Sequence, residues 1–268
     1  IADALISSGL ADAGFRTVDV VCSGWLERNS SGFLTENLTR WPSGMKGLAD
    51  YLHERGLLLG VYTSPGEKNC CGEPASYGHE QQDADFFASI GADHVMSDWC
   101  GGPPEPACRR AGGCPVATFR ETYAKMGKAI AAASRPMVFG ACSGGAGRPW
   151  KWARDVQAQY WRLTADIRNT WASVLHNFDT SVSIPGVADL AGPGHYNYFD
   201  QTVVGVVPAP GAISGDGLSL EEARAHLSLW IIQASVLKID NDVRSIPPPI
   251  IKLLTNKEVW AVHKDPLG

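Results

Sequence analysis

Hydrophobic and polar positions form two alternating patterns along this chain of 268 residues. Short, nearly continuous apolar runs are typical of strands that are buried on both faces of a parallel sheet. Such runs predict strands at Thr17–Val21, Leu57–Thr63, His94–Ser97, Met137–Ala141, Trp161–Thr164, Val187–Leu190 and Val236–Ile239. Longer amphipathic stretches predict helices at Ala2–Leu10, Gly44–Arg55, His79–Ile90, Ala117–Ala133, Ala153–Gln159, Thr170–Asn177 and Ser219–Gln233. The last helix has a clear start, because Ser219 precedes the acidic first-turn residues Glu221 and Glu222.

The repetition of strand and helix predicts an α/β protein with a parallel sheet. A (β/α)₈ barrel of the TIM type usually takes about 250 residues, which is close to the length of this chain. The pattern gives seven strands rather than eight, and the chain opens in a helix-like segment with no strand before it. We therefore expect one domain, residues 1–268, that forms a barrel without its first strand.

Composition and charge narrow the class of protein. A hydrophobic content of 44% allows a large core, and a net charge of −5 without a basic cluster argues against nucleic acid or an anionic membrane as a partner. The longest apolar stretch, Leu227–Ile239, is too short and too polar to span a bilayer. No signal peptide is visible at the start. Seven cysteines favour an oxidising compartment, so we expect a secreted protein.

The chemistry of the chain is predicted to lie at the carboxyl ends of the strands, where barrels build their active sites. Asp98 and Asp166 follow two different predicted strands, and Trp25, Tyr62 and Arg162 occupy similar positions. Two carboxylates suit glycoside chemistry, because one can attack the anomeric carbon while the other protonates the leaving oxygen. Aromatic rings stack on the apolar faces of sugars. The alternative is that both aspartates are ordinary helix caps.

Several motifs resemble, in order along the chain, the α-galactosidase family of glycoside hydrolases, family 27. They are Leu10–Phe15 (LADAGF), Arg40–Met45 (RWPSGM), Gly56–Thr63 (GLLLGVYT), Ser97–Cys100 (SDWC), Trp161–Ile167 (WRLTADI), Gly192–Gly194 (GPG) and Asp265–Gly268 (DPLG). The resemblance implies a (β/α)₈ barrel followed by a C-terminal β-sandwich. Both the first strand and the sandwich are expected outside residues 1–268, so the chain is interpreted as a segment of a longer secreted enzyme.

The resemblance also implies roles for particular residues. Asp98 is the expected nucleophile and Asp166 the expected acid/base of a retaining mechanism with a glycosyl-enzyme ester. Tyr62 and Trp25 correspond to aromatic residues of the pocket wall, and Arg162 binds a sugar hydroxyl, holds Asp98 charged, or only neutralises a buried acid. A disulfide between Cys70 and Cys100 is implied. The expected partner is an oligo- or polysaccharide, with no cofactor and no metal.

The chain departs from the family where galactose is recognised. The usual Asp-Asp pair after the second strand is absent from Val20–Trp25, the usual lysine is Met96, and the usual glutamate is Ser143. Asp200 keeps one of two acids that follow Gly194. Because lost hydrogen-bonding groups alter specificity strongly, an α-linked glucan of the isomalto-dextran type is the expected substrate. The alternatives are an α-galactosidase or α-N-acetylgalactosaminidase with an altered pocket, and a non-catalytic carbohydrate-binding barrel.

The remaining cysteines have open assignments. Cys22 and Cys142 are interpreted as buried small residues or as a disulfide. Cys108 and Cys114 flank a glycine-rich turn, and no histidine lies at the spacing that a zinc site requires. A local disulfide is therefore expected for that pair.

Overall fold

The computed structural model describes residues 1–103, 108, 114–207 and 215–265. The chain divides into two compact units, Thr17–Trp161 and the combination of Ile1–Arg16 with Arg162–Gly268. We call them the central unit and the terminal unit. In chain order the elements are α1 (Ala2–Ser7), α2 (Leu10–Ala13), β1 (Thr17–Val20), β2 (Leu26–Arg28), β3 (Leu34–Glu36), α3 (Gly44–His53), β4 (Leu58–Thr63), α4 (Glu80–Ser89), β5 (His94–Asp98), α5 (Val116–Ala132), β6 (Val138–Cys142), β7 (Tyr160–Arg162), α6 (Trp171–Val182), α7 (Val187–Leu190), β8 (Tyr196–Tyr198), α8 (Leu220–Ile232), α9 (Pro248–Leu254) and α10 (Lys257–His263).

The central unit is built on parallel strands in the order β1, β4, β5, β6 and β7. A long connection containing a helix joins β1 to β4, β4 to β5 and β5 to β6, as parallel pairing requires. The last five residues of β4 are all buried, which explains its uninterrupted apolar sequence. The predicted α/β class is therefore confirmed. The hairpin of β2 and β3 has three residues in each strand and was not predicted.

A polar layer crosses the strands of the central unit. His94 lies on β5 between Asp19 of β1 and Tyr160 of β7, with Nδ1 at 2.6 Å from Asp19 Oδ1 and Nε2 at 2.8 Å from Tyr160 Oη. Gly60 on β4 and Gly140 on β6 leave space for this chain of side chains, because a Cβ at either position would collide with Asp19 or Tyr160. Glycine in these strands thus marks a close approach rather than a turn.

The terminal unit contains the remaining helices. Its clearest local signal is the start of α8, where the Ser219 hydroxyl accepts from the Glu222 amide and the Glu222 carboxylate accepts from the Ser219 amide. This capping box confirms the predicted helix start. Leu163 N donates to Tyr198 O of β8 within this unit. Within the described residues, no helix is both long and apolar enough to cross a membrane.

Four sequence-based assignments of elements need correction. Val187–Leu190 forms the short helix α7 rather than a strand, starting after Gly186 in a left-handed conformation. At the predicted strand Val236–Ile239, only Ile239 makes a single bridge, to Thr202. Residues 153–157 form turns, and residues 158–159 are not helical either. The predicted first helix is divided into α1 and α2 at Gly9, whose φ of 78° interrupts the helix. Short apolar runs without a strong period are ambiguous between strand and helix, which explains the first error.

Candidate active site

Asp98 lies at the carboxyl end of β5 and is held there by a tyrosine. Tyr62, on the neighbouring strand β4, donates its hydroxyl hydrogen to Asp98 Oδ2 at 2.7 Å. Tyr62 pairs with Met96 in the parallel register, and Asp98 follows Met96 by two residues on the same strand. The side chains of Tyr62 and Asp98 therefore lie near the same end of the sheet. The Tyr62 ring is buried, whereas Asp98 is partly exposed. The carboxylate is thus accessible while its orientation is fixed by a charge-assisted hydrogen bond.

One of two neighbouring disulfides lies against this carboxylate. Cys70 pairs with Cys100 and the adjacent Cys71 pairs with Cys22, so that both disulfides meet at one turn after β4. The Cys70 Sγ lies 3.8 Å from Asp98 Oδ2, and the Cys100 Sγ lies 3.2 Å from Tyr62 Oη. The two sulfurs and the carboxylate are close enough together to resemble a metal site. Because thiolates rather than disulfide sulfurs bind metals, the group as it stands is not one.

Asp166 lies in the terminal unit, four residues after Arg162. The Arg162 Nη2 donates to Asp166 Oδ1 at 2.8 Å and to Asp200 Oδ2 at 2.6 Å. The Asp166 side chain is 95% exposed, whereas those of Arg162 and Asp200 are buried. Burial raises the pKa of Asp200, and the opposing effects of Arg162 and of the amides of Ile167 and Gln201 are smaller. One buried guanidinium therefore bridges an exposed and a buried carboxylate.

The chain is similar in sequence to a known family of glycoside hydrolases. The family described as "Alpha galactosidase A" matches residues 1–265. The chain belongs to this family. It is 38% identical over 277 residues to alpha-galactosidase A of Cellvibrio japonicus (strain Ueda107) and 37% identical over 269 residues to alpha-galactosidase 2 of Arabidopsis thaliana. Each alignment covers 100% of this chain, and the chain spans 63% and 62% of those relatives' length.

Solved structures with the same fold support the family assignment. The α-galactosidase of Saccharomyces cerevisiae superposes with a TM-score of 0.82 at 26% identity, covering 100% of this chain and 60% of the other. Alpha-galactosidase I of Mortierella vinacea gives 0.82 at 28% identity, covering 99% and 67%. The predicted fold class, a (β/α)₈ barrel of the α-galactosidase family, is confirmed by these neighbours and by the parallel strands.

Some predicted site residues of this family member are placed differently from the expectation. Trp25 is only 1% exposed and stacks on Phe86 of α4, with ring centroids 6.3 Å apart, so its ring belongs to the core. Ser143 is buried and donates its hydroxyl hydrogen to Ala146 O at 2.7 Å, which stabilises a turn. Asp200 is 2% exposed and is surrounded by internal donors. These placements favour structural roles over direct contact with a sugar.

The cysteines resolve the assignments that the sequence left open. Cys70–Cys100 is formed as the resemblance implies, and Cys108–Cys114 is formed as a local disulfide. Cys22 is bonded to Cys71, whereas Cys142 is a buried, reduced cysteine at the end of β6. Of the sequence-based interpretations, a disulfide is correct for Cys22 and a buried small residue is correct for Cys142.

Tyr123, which the sequence does not single out, supports the segment that carries Asp98. Its hydroxyl, on α5, donates to Cys142 O at 2.7 Å and approaches Ser97 O at 3.3 Å. Burial is the main cause that raises the pKa of Tyr123 well above its usual value, so the hydroxyl remains a donor. A tyrosine on the apolar face of a predicted helix resembles any core aromatic, so only the fold shows this contact.

Proposed function

We propose that this chain carries the catalytic residues of a retaining α-galactoside hydrolase. The observation that carries the proposal is the Asp98 carboxylate at the end of β5, oriented by the Tyr62 hydroxyl at 2.7 Å. Its support is the family membership of residues 1–265 and the names of the relatives, which are α-galactosidases. A carboxylate fixed at a strand end is suited to attack a bound sugar from one defined direction.

The proposed reaction proceeds in two displacements. In the first, Asp98 forms a bond to the anomeric carbon while the glycosidic C–O bond breaks and Asp166 gives its proton to the leaving oxygen. In the second, Asp166 takes a proton from water, whose oxygen displaces Asp98 and releases the sugar. The configuration at the anomeric carbon is therefore retained. The exposed position of Asp166 leaves its carboxyl open to a leaving group.

The proposed sugar is α-linked galactose rather than the α-glucan expected from the sequence. That expectation rested on the loss of galactose-reading residues. The Asp-Asp pair is absent from Val20–Trp25, and Met96 and Ser143 replace the lysine and the glutamate. The relatives named above are α-galactosidases at 37–38% identity, which favours the alternative reading. We infer that this chain recognises the sugar with a partly different set of side chains. The partner class remains an oligo- or polysaccharide.

We also infer export of the protein to an oxidising compartment. Three disulfides lie within the described residues, and disulfides persist mainly outside the cytosol. The proposed chemistry uses two carboxyl groups, and the roles assigned to Asp98 and Asp166 require no metal ion.

Kinetics of two single variants test the roles of the carboxylates. Asp98→Asn is expected to abolish turnover of nitrophenyl α-galactoside. Asp166→Asn is expected to retain slow turnover of aryl galactosides with good leaving groups, because general-acid catalysis contributes about 10²–10⁴-fold and matters least there. Asp179→Asn, an exposed aspartate on α6, is the matched control and keeps full activity. Equal residual rates for the two active-site variants contradict the assignment.

A comparison of substrates tests the proposed sugar. Nitrophenyl α-galactoside, nitrophenyl α-glucoside and an isomalto-oligosaccharide are offered to the wild-type protein in parallel. The proposal expects the largest kcat/KM for the galactoside. A larger kcat/KM for nitrophenyl α-glucoside or for the isomalto-oligosaccharide supports the α-glucan substrate instead. Saturable sugar binding without product, unaltered by Asp98→Asn, identifies a non-catalytic carbohydrate-binding protein.

A further inference from the structure

Asp200 uses its polar atoms on partners within the terminal unit. Its Oδ2 accepts from Arg162 Nη2 and from the Ile167 amide, each at 2.6 Å, and its Oδ1 accepts from the Gln201 amide at 2.7 Å. Its carbonyl oxygen accepts from Trp230 Nε1 of α8 at 2.7 Å. A carboxylate with three close N–H donors and 2% exposure is poorly placed to receive a sugar hydroxyl as well.

The backbone conformation at Asp200 also holds the carboxylate towards the interior of the terminal unit. Its φ of 88° lies in the left-handed region, which residues other than glycine adopt rarely. Such a conformation persists only where the surrounding contacts determine it, and here the Trp230 indole holds the carbonyl. The unusual φ is therefore part of what directs the carboxylate inward, towards Arg162 and the Ile167 amide.

The backbone on both sides of Asp166 is anchored by these contacts. Ile167, the next residue, donates its amide to Asp200. Ala165, the preceding residue, accepts a hydrogen bond at 3.2 Å from Asn177 Nδ2, which also reaches Phe199 O at 3.4 Å. Asn177 lies on α6 and is buried. The segment that carries Asp166 is thus tied at each end to the segment that carries Asp200.

We infer that Asp200 is a positioning residue for Asp166, acting through Arg162 and the Ile167 amide, rather than a contact to the sugar. Charge is the second part of this role. Asp200 offsets the guanidinium charge of Arg162, which also contacts Asp166. Within the described residues, Arg162 and Asp166 are the charged side chains that act on Asp200. The inference rests on the proposed function in one respect, the acid/base role of Asp166.

The neutral variant Asp200→Asn separates these possibilities in the purified protein. Without the Asp200 carboxylate, Arg162 Nη2 and the Ile167 amide lose their shared charged acceptor, so the segment that carries Asp166 is held less firmly. We expect kcat to fall by about 100-fold, the cost of a misplacement of about 1 Å, and KM to change far less.

Amide hydrogen exchange supplies a readout that does not depend on activity. In Asp200→Asn the Ile167 amide is expected to exchange faster, while amides in the middle of α8 keep their rates. Asn177→Ala removes the other anchor, the contact to Ala165 O, so kcat is expected to fall in this variant as well. Asp179→Asn, on the same helix and exposed, is the control for both measurements.

Each outcome decides between defined alternatives. A raised KM with unchanged kcat and unchanged Ile167 exchange in Asp200→Asn overturns the inference and makes Asp200 a sugar contact, while the proposed function stands. A folded wild-type protein that is inactive on every α-glycoside overturns the proposed function, and Ile167 exchange then decides separately whether Asp200 anchors the segment. If Asp200→Asn does not fold, an unchanged kcat in Asn177→Ala contradicts the inference.

Discussion

At the scale of single residues, the hydrogen bond from Tyr62 to Asp98 carries most of the proposed catalytic geometry. Tyr62→Phe removes the donor at 2.7 Å and leaves the ring that packs in the core. A hydrogen bond to a charged group contributes about 1.5–3 kcal/mol, so we expect kcat to fall by about 10–100-fold. Steady-state kinetics with nitrophenyl α-galactoside measure this decrease in kcat. Tyr77→Phe, at a partly exposed tyrosine, is the control, and equal effects in both variants contradict the role of Tyr62.

His226 predicts a loss of stability in acid. Burial lowers its pKa to about 3 from 6.5, and its Nε2 accepts from the Val203 amide at 3.1 Å, which requires the neutral ring. The unfolded chain therefore binds a proton that the folded chain does not, and the free energy of unfolding falls as the pH drops below 6.5. Between pH 7 and pH 5, proton binding by His226 in the unfolded chain lowers the free energy of unfolding by about 2 kcal/mol.

Urea unfolding at pH 7 and pH 5 measures this contribution. His226→Gln removes the titrating group and keeps an acceptor for the Val203 amide, so its stability is expected to depend less on pH than that of the wild type. His176→Gln, at an exposed histidine of α6, is the matched control. The same pH dependence in the wild type and in His226→Gln contradicts the assignment.

Single residues also show how far the sequence could be interpreted. Asp98 and Asp166 can be proposed as catalytic residues from motifs, because each lies within a short, recognisable segment of the sequence. The partners of Asp200 could not be found in this way. Arg162, Ile167 and Trp230 are far from it in sequence, and its positive φ has no signal in the residue type. Whether an acid contacts a sugar or an arginine is determined by its burial, which only the fold provides.

At the scale of elements, strand glycines in the central unit predict a strong sensitivity to added volume. A Cβ at Gly140 would enter the Tyr160 ring, and one at Gly60 would overlap Asp19 and lie 2.9 Å from His94 Nδ1. The strands cannot move apart without breaking the backbone hydrogen bonds between them. We therefore expect Gly60→Ala and Gly140→Ala each to lower the free energy of unfolding by about 1–3 kcal/mol.

Urea unfolding of these variants gives the comparison. Gly192→Ala is the matched control, because no atom lies within 4 Å of its added Cβ and its φ is not positive. If Gly60→Ala and Gly140→Ala have the same free energy of unfolding as Gly192→Ala, the close approach of Asp19, His94 and Tyr160 is contradicted. If only one of these two variants keeps the free energy of unfolding of the wild type, the strand that carries its substitution is the one that can move.

Elements were predicted well where the signal is local. The start of α8 needs only Ser219 and Glu222, three residues apart, so the sequence contains the whole capping box. The strand predicted at Val187–Leu190 is wrong because this short run, with three apolar residues and Asp189, fits one helical turn as well as a short strand. The hairpin of β2 and β3 was missed because strands of three residues carry too little alternation to be recognised.

At the scale of the whole molecule, the cysteines are distributed unevenly. All seven lie between Cys22 and Cys142, within the central unit, and the terminal unit has none. The composition was enough to predict an oxidising compartment, but the Cys22–Cys71 pairing was not foreseen, since connectivity depends on which loops the fold brings together. Two of the disulfides tie the turn after β4 to the segments that follow β1 and β5.

This distribution predicts that disulfide loss acts unequally on the molecule. Cys22 and Cys71 are separated by 49 residues, and Cys108 and Cys114 by 6. Closing the longer loop restricts the unfolded chain more, so replacing both cysteines by alanine is expected to cost about 4 kcal/mol for the first pair and about 2 kcal/mol for the second. Urea unfolding measures the losses, and amide exchange locates them, with β1 and β4 opening first in Cys22→Ala/Cys71→Ala. Equal losses for the two pairs, or faster exchange confined to α8, contradict the argument, because the constraint removed belongs to the central unit alone.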